Sequence, residues 1–184
     1  GHWLKDGGAQ LTGKTVGIVG CGRVGEEVVR LLAPFECRIL IRDIVDKSKF
    51  CLETGASEVS FEELIETADL VSLHVPLTPL TRNLVDEITL HRMKPAAYLV
   101  NTARGEVVDP EALKRALQQG RIAGAALDVF AGEPPEDREL LALPNLLATP
   151  HIGGNTVEAV EAMGRAAIDH LVQFFQSTRE PEAG

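Results

Sequence analysis

The sequence lacks the features that mark several specialised classes of protein. Positive charge is scarce, since the net charge is −9, and an acidic surface disfavours a nucleic-acid partner because it repels phosphates. No apolar run approaches the roughly 20 residues that cross a bilayer, and the first six residues contain no apolar signal segment. The three cysteines, Cys21, Cys37 and Cys51, have neither metal-type spacing nor the even number of a disulfide framework. We therefore expect a cytoplasmic protein with no metal site and no nucleic-acid or membrane partner.

The chain does contain the alternation of short apolar runs and helical segments that is typical of α/β proteins. Its 184 residues, 45% of them hydrophobic, suffice for one domain with a sizeable core. The apolar runs predict six strands, at residues 15–19, 38–41, 70–75, 98–101, 124–129 and 146–149. This pattern predicts an α/β fold of the Rossmann type, a doubly wound parallel sheet with helices on both faces.

Helix boundaries are marked by capping residues. Three N-terminal signals are a capping box at Ser60 and Glu63, the pair Asp109-Pro110, and Asn155 before a long final helix. The helices that begin at Ser60 and at Asp109 are expected to end near Ala68 and Gly120, respectively. We expect residues 1–176 to form one nucleotide-binding domain and the polar residues 177–184 to be a frayed tail.

A glycine-rich segment, residues 20–25, follows the first predicted strand and opens a helix. Gly20 permits a tight turn, Gly22 lets the backbone approach a pyrophosphate, and Gly25 lets helix and strand pack closely. The helix N-terminus then offers free N–H groups to the phosphates. Asp43 ends the second strand, where a carboxylate accepts from ribose hydroxyls and repels a 2′-phosphate, so NAD is favoured over NADP. Arg42 leaves an alternative open, because it could contact a 2′-phosphate if Asp43 turned away.

Four further segments follow strand ends, where open α/β sheets bind ligands: residues 75–78, 101–105, 126–134 and 150–154. They contain the residue types that hydride transfer to a 2-keto acid requires. Arg104 has the planar charged fork that holds a carboxylate. His151 is of the residue type whose ordinary pKa lies near neutral pH, which suits a proton donor to the developing alkoxide. Glu133 is a carboxylate that could orient the histidine ring and favour the imidazolium.

With these segments in place, the sequence resembles the D-isomer-specific 2-hydroxyacid dehydrogenases over residues 3–175. The matching segments are 20–25, 74–78, 101–105, 124–130, 133–134 and 150–154. The resemblance implies that Arg104 binds substrate and that Glu133 and His151 form the acid–base pair. It implies further cofactor contacts from Arg23, Val24, His74, Val75, Pro76, Thr81, Thr102, Ala103, Asp128, His151 and Gly153. For His74, a structural role is an equally good interpretation.

The resemblance also implies an activity and an assembly. It predicts an NAD-dependent oxidoreductase, similar to phosphoglycerate dehydrogenase, that acts on D-2-hydroxy or 2-keto acids, with 3-phosphoglycerate favoured. The family's substrate-binding domain is absent from the chain, so turnover by these 184 residues alone is expected to be inefficient. A homodimer through the nucleotide domain is expected, with Trp3 and Leu4 suited to the interface.

Two other functions remain open from the sequence. The family also contains transcriptional corepressors that use NADH to control assembly, and these can retain Arg104, Glu133 and His151. A hydrolase related to adenosylhomocysteine hydrolase would share the dinucleotide fold, although this set of three residues argues against it. Turnover on a panel of keto acids would discriminate between an enzyme and a regulator.

Overall fold

A computed structural model describes residues 8–177 of the chain. The chain divides into two compact units, Gly1–Pro150 and His151–Gly184. The first unit contains a seven-stranded parallel sheet with the order β3-β2-β1-β4-β5-β6-β7. Its strands are β1 (Thr15–Val19), β2 (Arg38–Arg42), β3 (Ser57–Glu58), β4 (Leu70–Leu73), β5 (Tyr98–Asn101), β6 (Gly124–Leu127) and β7 (Leu146–Ala148). The predicted doubly wound fold is confirmed.

The six predicted strands are all present, each ending within two residues of its predicted end. The sequence missed β3, a two-residue edge strand that pairs with β2 through Leu40 and Ile41. Its two side chains are exposed, so it has no buried face that could generate an apolar pattern.

Helices connect the strands of the first unit. They are α1 (Arg23–Leu32), α2 (Ser48–Thr54), α3 (Phe61–Thr67), α4 (Glu87–Arg92), α5 (Pro110–Gln118) and α6 (Arg138–Leu141), with short 3₁₀ turns at Ala33–Phe35 and Gly105–Val107. Two predicted caps are confirmed: Ser60 Oγ accepts from the Glu63 N–H at 3.1 Å, and Asp109 accepts from the N–H groups of Glu111 and Ala112.

Buried side chains alternate between the two faces of the sheet. Ile39 and Ile41 of β2 belong to a cluster with Val29 of α1 and Phe50 of α2, whereas Leu40 points into the opposite cluster. That larger cluster contains the buried faces of α3, α4 and α5. Both faces of β1 and β2 are thus buried, as is typical of a parallel sheet, whereas Tyr98 of β5 and Leu147 of β7 are exposed.

The second unit contains one long helix, α7 (Val157–Ser177). The prediction that Asn155 caps this helix is wrong, because Thr156 Oγ1 accepts from the Ala159 N–H at 3.1 Å and directly precedes the helix. Both residue types cap helices well, so sequence alone does not decide between neighbours. Trp3, Leu4 and the predicted tail beyond Ser177 lie outside the described residues. Among residues 8–177, no helix is long and apolar enough to cross a membrane.

Candidate cofactor and active site

The glycine turn after β1 has the geometry that the sequence predicts for a phosphate-binding loop. Gly20 has φ of +88°, and a β-carbon on it would lie 2.8 Å from the His74 backbone. A β-carbon on Gly25 would lie 2.3 Å from the Gly20 carbonyl oxygen. At Gly22, by contrast, a β-carbon would meet nothing within 4 Å. The turn is therefore closed on its protein side and open on its outer side, as a backbone cradle for a pyrophosphate must be.

Asp43 follows β2 and reaches back to this turn. Its Oδ2 accepts from the Cys21 N–H at 2.6 Å and its Oδ1 from the Val45 N–H at 2.9 Å. The Arg42 guanidinium donates to the carbonyl oxygen of Asp43 at 2.6 Å. The carboxylate thus faces the glycine turn, and the arginine is held on the backbone beside it.

The thiol of Cys21, in the middle of the turn, is buried. Burial raises the pKa of Cys21 to about 11, so the side chain is an uncharged thiol at neutral pH. It packs in the cluster with Val29 and Ile41. No chemical role was predicted for Cys21 from the sequence, and a buried, protonated thiol is unreactive.

The loop after β4 forms a wall next to the turn. His74 Nε2 lies 2.9 Å from Ser72 Oγ, and burial lowers the pKa of His74, so the ring is neutral at neutral pH. Thr81 Oγ1 donates to the Pro76 carbonyl at 2.6 Å and accepts from the Thr78 N–H at 2.8 Å. The Thr81 hydroxyl, predicted to contact cofactor, therefore fixes the shape of the loop that carries Val75 and Pro76.

These loops enclose one cleft of about 490 Å³. Its lining contains Val24, His74, Val75, Pro76, Leu77, Thr102, Ala103 and Arg104. All but Leu77 were predicted from the sequence as site residues, and Leu77 is an ordinary apolar residue with no distinguishing signal. Val24, next to the glycine turn, and Arg104 both line this cleft, and both side chains are exposed.

The loop that carries Arg104 follows β5. The side chain of Asn101, fully buried, donates from Nδ2 to the Arg104 carbonyl at 2.9 Å and accepts at Oδ1 from the Ala103 N–H at 3.0 Å. Gly105 comes next, and a β-carbon there would lie 1.9 Å from the carbonyl carbon of Phe130. The Arg104 loop is thus packed directly against the loop that follows β6.

The loop after β6 carries Asp128 and Glu133. Asp128 is buried; its Oδ1 accepts from the Thr149 hydroxyl at 2.6 Å, a contact that the sequence did not predict. The exposed Glu133 accepts at Oε1 from the Phe130 N–H at 3.0 Å. Both carboxylates therefore stand at the carboxyl edge of the sheet, as predicted from their positions after a strand.

His151 and Gly153 belong to the second compact unit. His151 is its first residue and has φ of +54°, a left-handed conformation that is uncommon for residues other than glycine. Among residues 8–177, no group of three or more His, Cys, Asp or Glu side chains could hold a metal ion.

Comparison with known proteins identifies what this geometry belongs to. The family model described as "D-isomer specific 2-hydroxyacid dehydrogenase, NAD binding domain" matches residues 1–153. A glyoxylate reductase of Pyrococcus furiosus is 45% identical over 183 residues, which cover 95% of this chain and 54% of that protein. A D-3-phosphoglycerate dehydrogenase of Bacillus subtilis is 39% identical over 167 residues, which cover 91% of this chain and 32% of that protein.

Solved structures agree with these relatives. D-lactate dehydrogenase of Aquifex aeolicus, crystallised with NAD and lactic acid, superimposes with a TM-score of 0.84 at 31% identity, covering 95% of this chain and 58% of that one. The chain spans about half the length of the P. furiosus and A. aeolicus proteins and a third of the B. subtilis one. It belongs to the D-isomer specific 2-hydroxyacid dehydrogenase family and carries that family's NAD-binding domain.

Proposed function

We propose that the protein to which this domain belongs transfers a hydride between NAD(H) and a small D-2-hydroxy or 2-keto acid. The observation that carries the proposal is the cleft between the glycine turn and Arg104. A dinucleotide whose pyrophosphate lay at the open side of Gly22 would be next to a cleft that Val24 and Arg104 both line. Bound NADH would supply the hydride.

Arg104 is proposed to bind the substrate. Its guanidinium is exposed, and its loop is fixed by Asn101. A planar fork of N–H donors holds a carboxylate in one orientation and polarises the neighbouring carbonyl. A lysine at the same place would present only a point charge.

Glu133 and His151 are proposed as the acid–base pair. In reduction, His151 would donate a proton to the keto oxygen, and in oxidation it would accept the hydroxyl proton. Glu133 would favour the protonated ring by its negative charge. These roles rest on the family to which the chain belongs and on the positions of both residues after strands β6 and β7.

The cofactor contacts that we propose follow the same cleft. The open side of Gly22, with Arg23 and Val24, would hold the pyrophosphate. Asp43 would accept from the adenosine ribose and so favour NAD over NADP, since its carboxylate already lies at the turn. Asp128, buried beside Thr149, would contact the nicotinamide carboxamide. The remaining proposed contacts are His74, Val75, Pro76, Thr81, Thr102, Ala103 and Gly153.

The substrate is proposed to be a small, anionic 2-keto acid. The two relatives described above are named for glyoxylate and for D-3-phosphoglycerate, and these define the two substrates to compare. A cytoplasmic location and a homodimer are part of the same proposal, supported by family membership. No feature of the described residues favours an NADH-sensing regulator. If the protein were such a regulator, the following experiment would detect no turnover.

The test is turnover by the full-length protein with NADH on glyoxylate, 3-phosphohydroxypyruvate and pyruvate, with wild type and His151→Gln compared. Wild type should turn over at least one acid. His151→Gln should lower kcat by about two to four orders of magnitude, but the variant should still bind NADH, because the turn at residues 20–25 is intact. A His151→Gln enzyme with near-normal turnover at neutral pH would contradict the mechanism.

A further inference from the structure

One buried polar side chain next to the cleft has no role in the proposed chemistry. Asn101 ends β5 and is 0% exposed. Its amide nitrogen donates to the Arg104 carbonyl and its amide oxygen accepts from the Ala103 N–H. A buried amide is costly unless both of its ends are bonded, so this side chain has one defined orientation.

These two bonds fix the backbone on both sides of one peptide unit. The Ala103 N–H and the Arg104 carbonyl are held at 3.0 Å and 2.9 Å from the same amide group. The carbonyl oxygen of Asn101 in turn accepts from the Asp128 N–H at 3.0 Å, which ties this strand end to the next. The Arg104 carbonyl also accepts from the Val107 N–H at 3.2 Å. The buried side chain and the 3₁₀ turn Gly105–Val107 therefore hold the backbone at Arg104 together, while the guanidinium donates to the Ala103 carbonyl.

The same loop also contacts the segment that carries Glu133. Gly105 fits against the backbone of Phe130 and Ala131 so closely that a β-carbon would come within 2.3 Å of three of its atoms. The Phe130 N–H donates to Glu133 Oε1 at 3.0 Å. A shift of the Arg104 loop would therefore press on the loop of the second proposed catalytic residue.

We propose that Asn101 is a positioning residue, which sets the reach of Arg104 toward the substrate carboxylate. This rests on the proposed function, in which Arg104 binds that carboxylate. A small displacement of an anchoring group is enough to reduce catalysis strongly. Loss of the Asn101 amide should consequently act on the keto acid and leave the dinucleotide, held at residues 20–25, largely unaffected.

The decisive variant is Asn101→Asp. It preserves size and the oxygen that accepts from Ala103, but a carboxylate has no N–H for the Arg104 carbonyl. At a pH above the pKa of the introduced carboxyl, KM for the keto acid should rise between about tenfold and a hundredfold, and KM for NADH should change by less than about threefold. Burial favours the protonated carboxyl, whose O–H can donate to the carbonyl, so the ratio of variant to wild-type kcat/KM should recover as pH falls.

Asn145→Asp is the matched control. Asn145 also donates from Nδ2 to a backbone carbonyl, that of Leu117 at 3.0 Å, but away from the cleft. Asn145→Asp should lower thermal stability, less than Asn101→Asp does because Asn145 is only partly buried. It should not raise KM for the keto acid and should show no recovery at acid pH. Asn101→Ser serves if Asn101→Asp does not fold, because its shorter hydroxyl can still accept from Ala103 but does not reach Arg104.

The outcomes separate the two proposals. Wild type that turns over keto acid, with a selective and pH-reversible rise in KM for Asn101→Asp, supports both. Wild-type turnover with the same KM in Asn101→Asp or Asn101→Ser as in Asn145→Asp overturns the positioning role alone. Absence of turnover by wild type on every keto acid overturns the proposed function and with it the role of Asn101.

Discussion

Two of the loops of the candidate site, both at the carboxyl edge of the sheet, are held in shape by different means. The turn at residues 20–25 depends on the absence of side chains, with Gly20 at positive φ and Gly25 against the Gly20 carbonyl. The loop after β5 depends instead on the buried side chain of Asn101. A glycine pattern is visible in a sequence, whereas the bonds of a buried asparagine are not. The two loops therefore differ in how well sequence predicts them and in which property a substitution should change.

Substitution of Gly25 should have the largest effect on the first loop. In Gly25→Ala, the new β-carbon would lie 2.3 Å from a backbone oxygen, which forces the turn open. We expect a loss of about 1–3 kcal/mol in the free energy of unfolding and a fall of roughly a hundredfold or more in NADH affinity. Urea denaturation and calorimetric titration measure the two quantities.

Gly22→Ala is the matched control for this prediction. Its β-carbon meets no protein atom within 4 Å, so the free energy of unfolding should change by less than about 1 kcal/mol. NADH affinity should still fall, because the methyl group occupies the side open to the phosphates. Wild-type stability and NADH affinity in Gly25→Ala would show that the turn does not need its glycines.

Asp43 links the turn to cofactor choice and should give an intermediate effect. Asp43→Ser removes the charge that repels a 2′-phosphate and the acceptor of the Cys21 N–H. The ratio of NADH to NADPH affinity should narrow by about tenfold, and NADH affinity itself should fall. Asp46→Ser, a loss of charge from the same surface, should leave the ratio unchanged. An unaltered ratio in Asp43→Ser would remove Asp43 from the cofactor site.

The smallest effect concerns the opposite, amino-terminal edge of the sheet. The Thr15 N–H, and then the Lys94 ammonium, lower the pKa of Asp69. A carboxylate whose pKa is lowered in the folded state contributes its full stabilisation of that state at pH values above its ordinary pKa of about 3.9. This contribution is lost as the pH falls through the lowered pKa. The free energy of unfolding should therefore drop below about pH 4.

Asp69→Asn should reduce the free energy of unfolding at pH 7. It should also reduce the further loss of that free energy at acid pH. The loss at pH 7 should be no more than about 1 kcal/mol, since the carboxylate is partly exposed. NADH affinity should not change, because Asp69 lies away from the residues that line the cleft. Urea midpoints at pH 7 and pH 3 provide the measurement, with Glu62→Gln as an exposed control on α3. An equal acid dependence in Asp69→Asn and wild type would contradict this assignment.

Much of the first loop and of the fold was predictable from sequence. Six strands, the glycine turn and the place of Asp43 follow from apolar periodicity, glycine spacing and a strand-end acid, which are local signals. The two-residue strand β3 has no buried face, and Thr156 rather than Asn155 caps α7, because neighbouring residues have similar capping strength.

The bonds within the second loop could not be predicted in the same way. Asn101 stood in a recognised segment, but its bonds to Ala103 and Arg104 depend on its complete burial. The same is true of Thr149 and Asp128, which are 21 residues apart in sequence. Such contacts follow from how strands pack, and no short sequence pattern encodes packing.

The most direct test of the account is calorimetric titration of the 184-residue chain with NADH and, separately, NADPH. Residues 20–25 and Asp43 are proposed to form an NAD site within this chain, which this titration would detect. This proposal predicts one NADH bound per chain, more tightly than NADPH, with the heat of NADH binding lost in Gly25→Ala. A folded chain that binds no NADH, or binds the two dinucleotides equally, would contradict it.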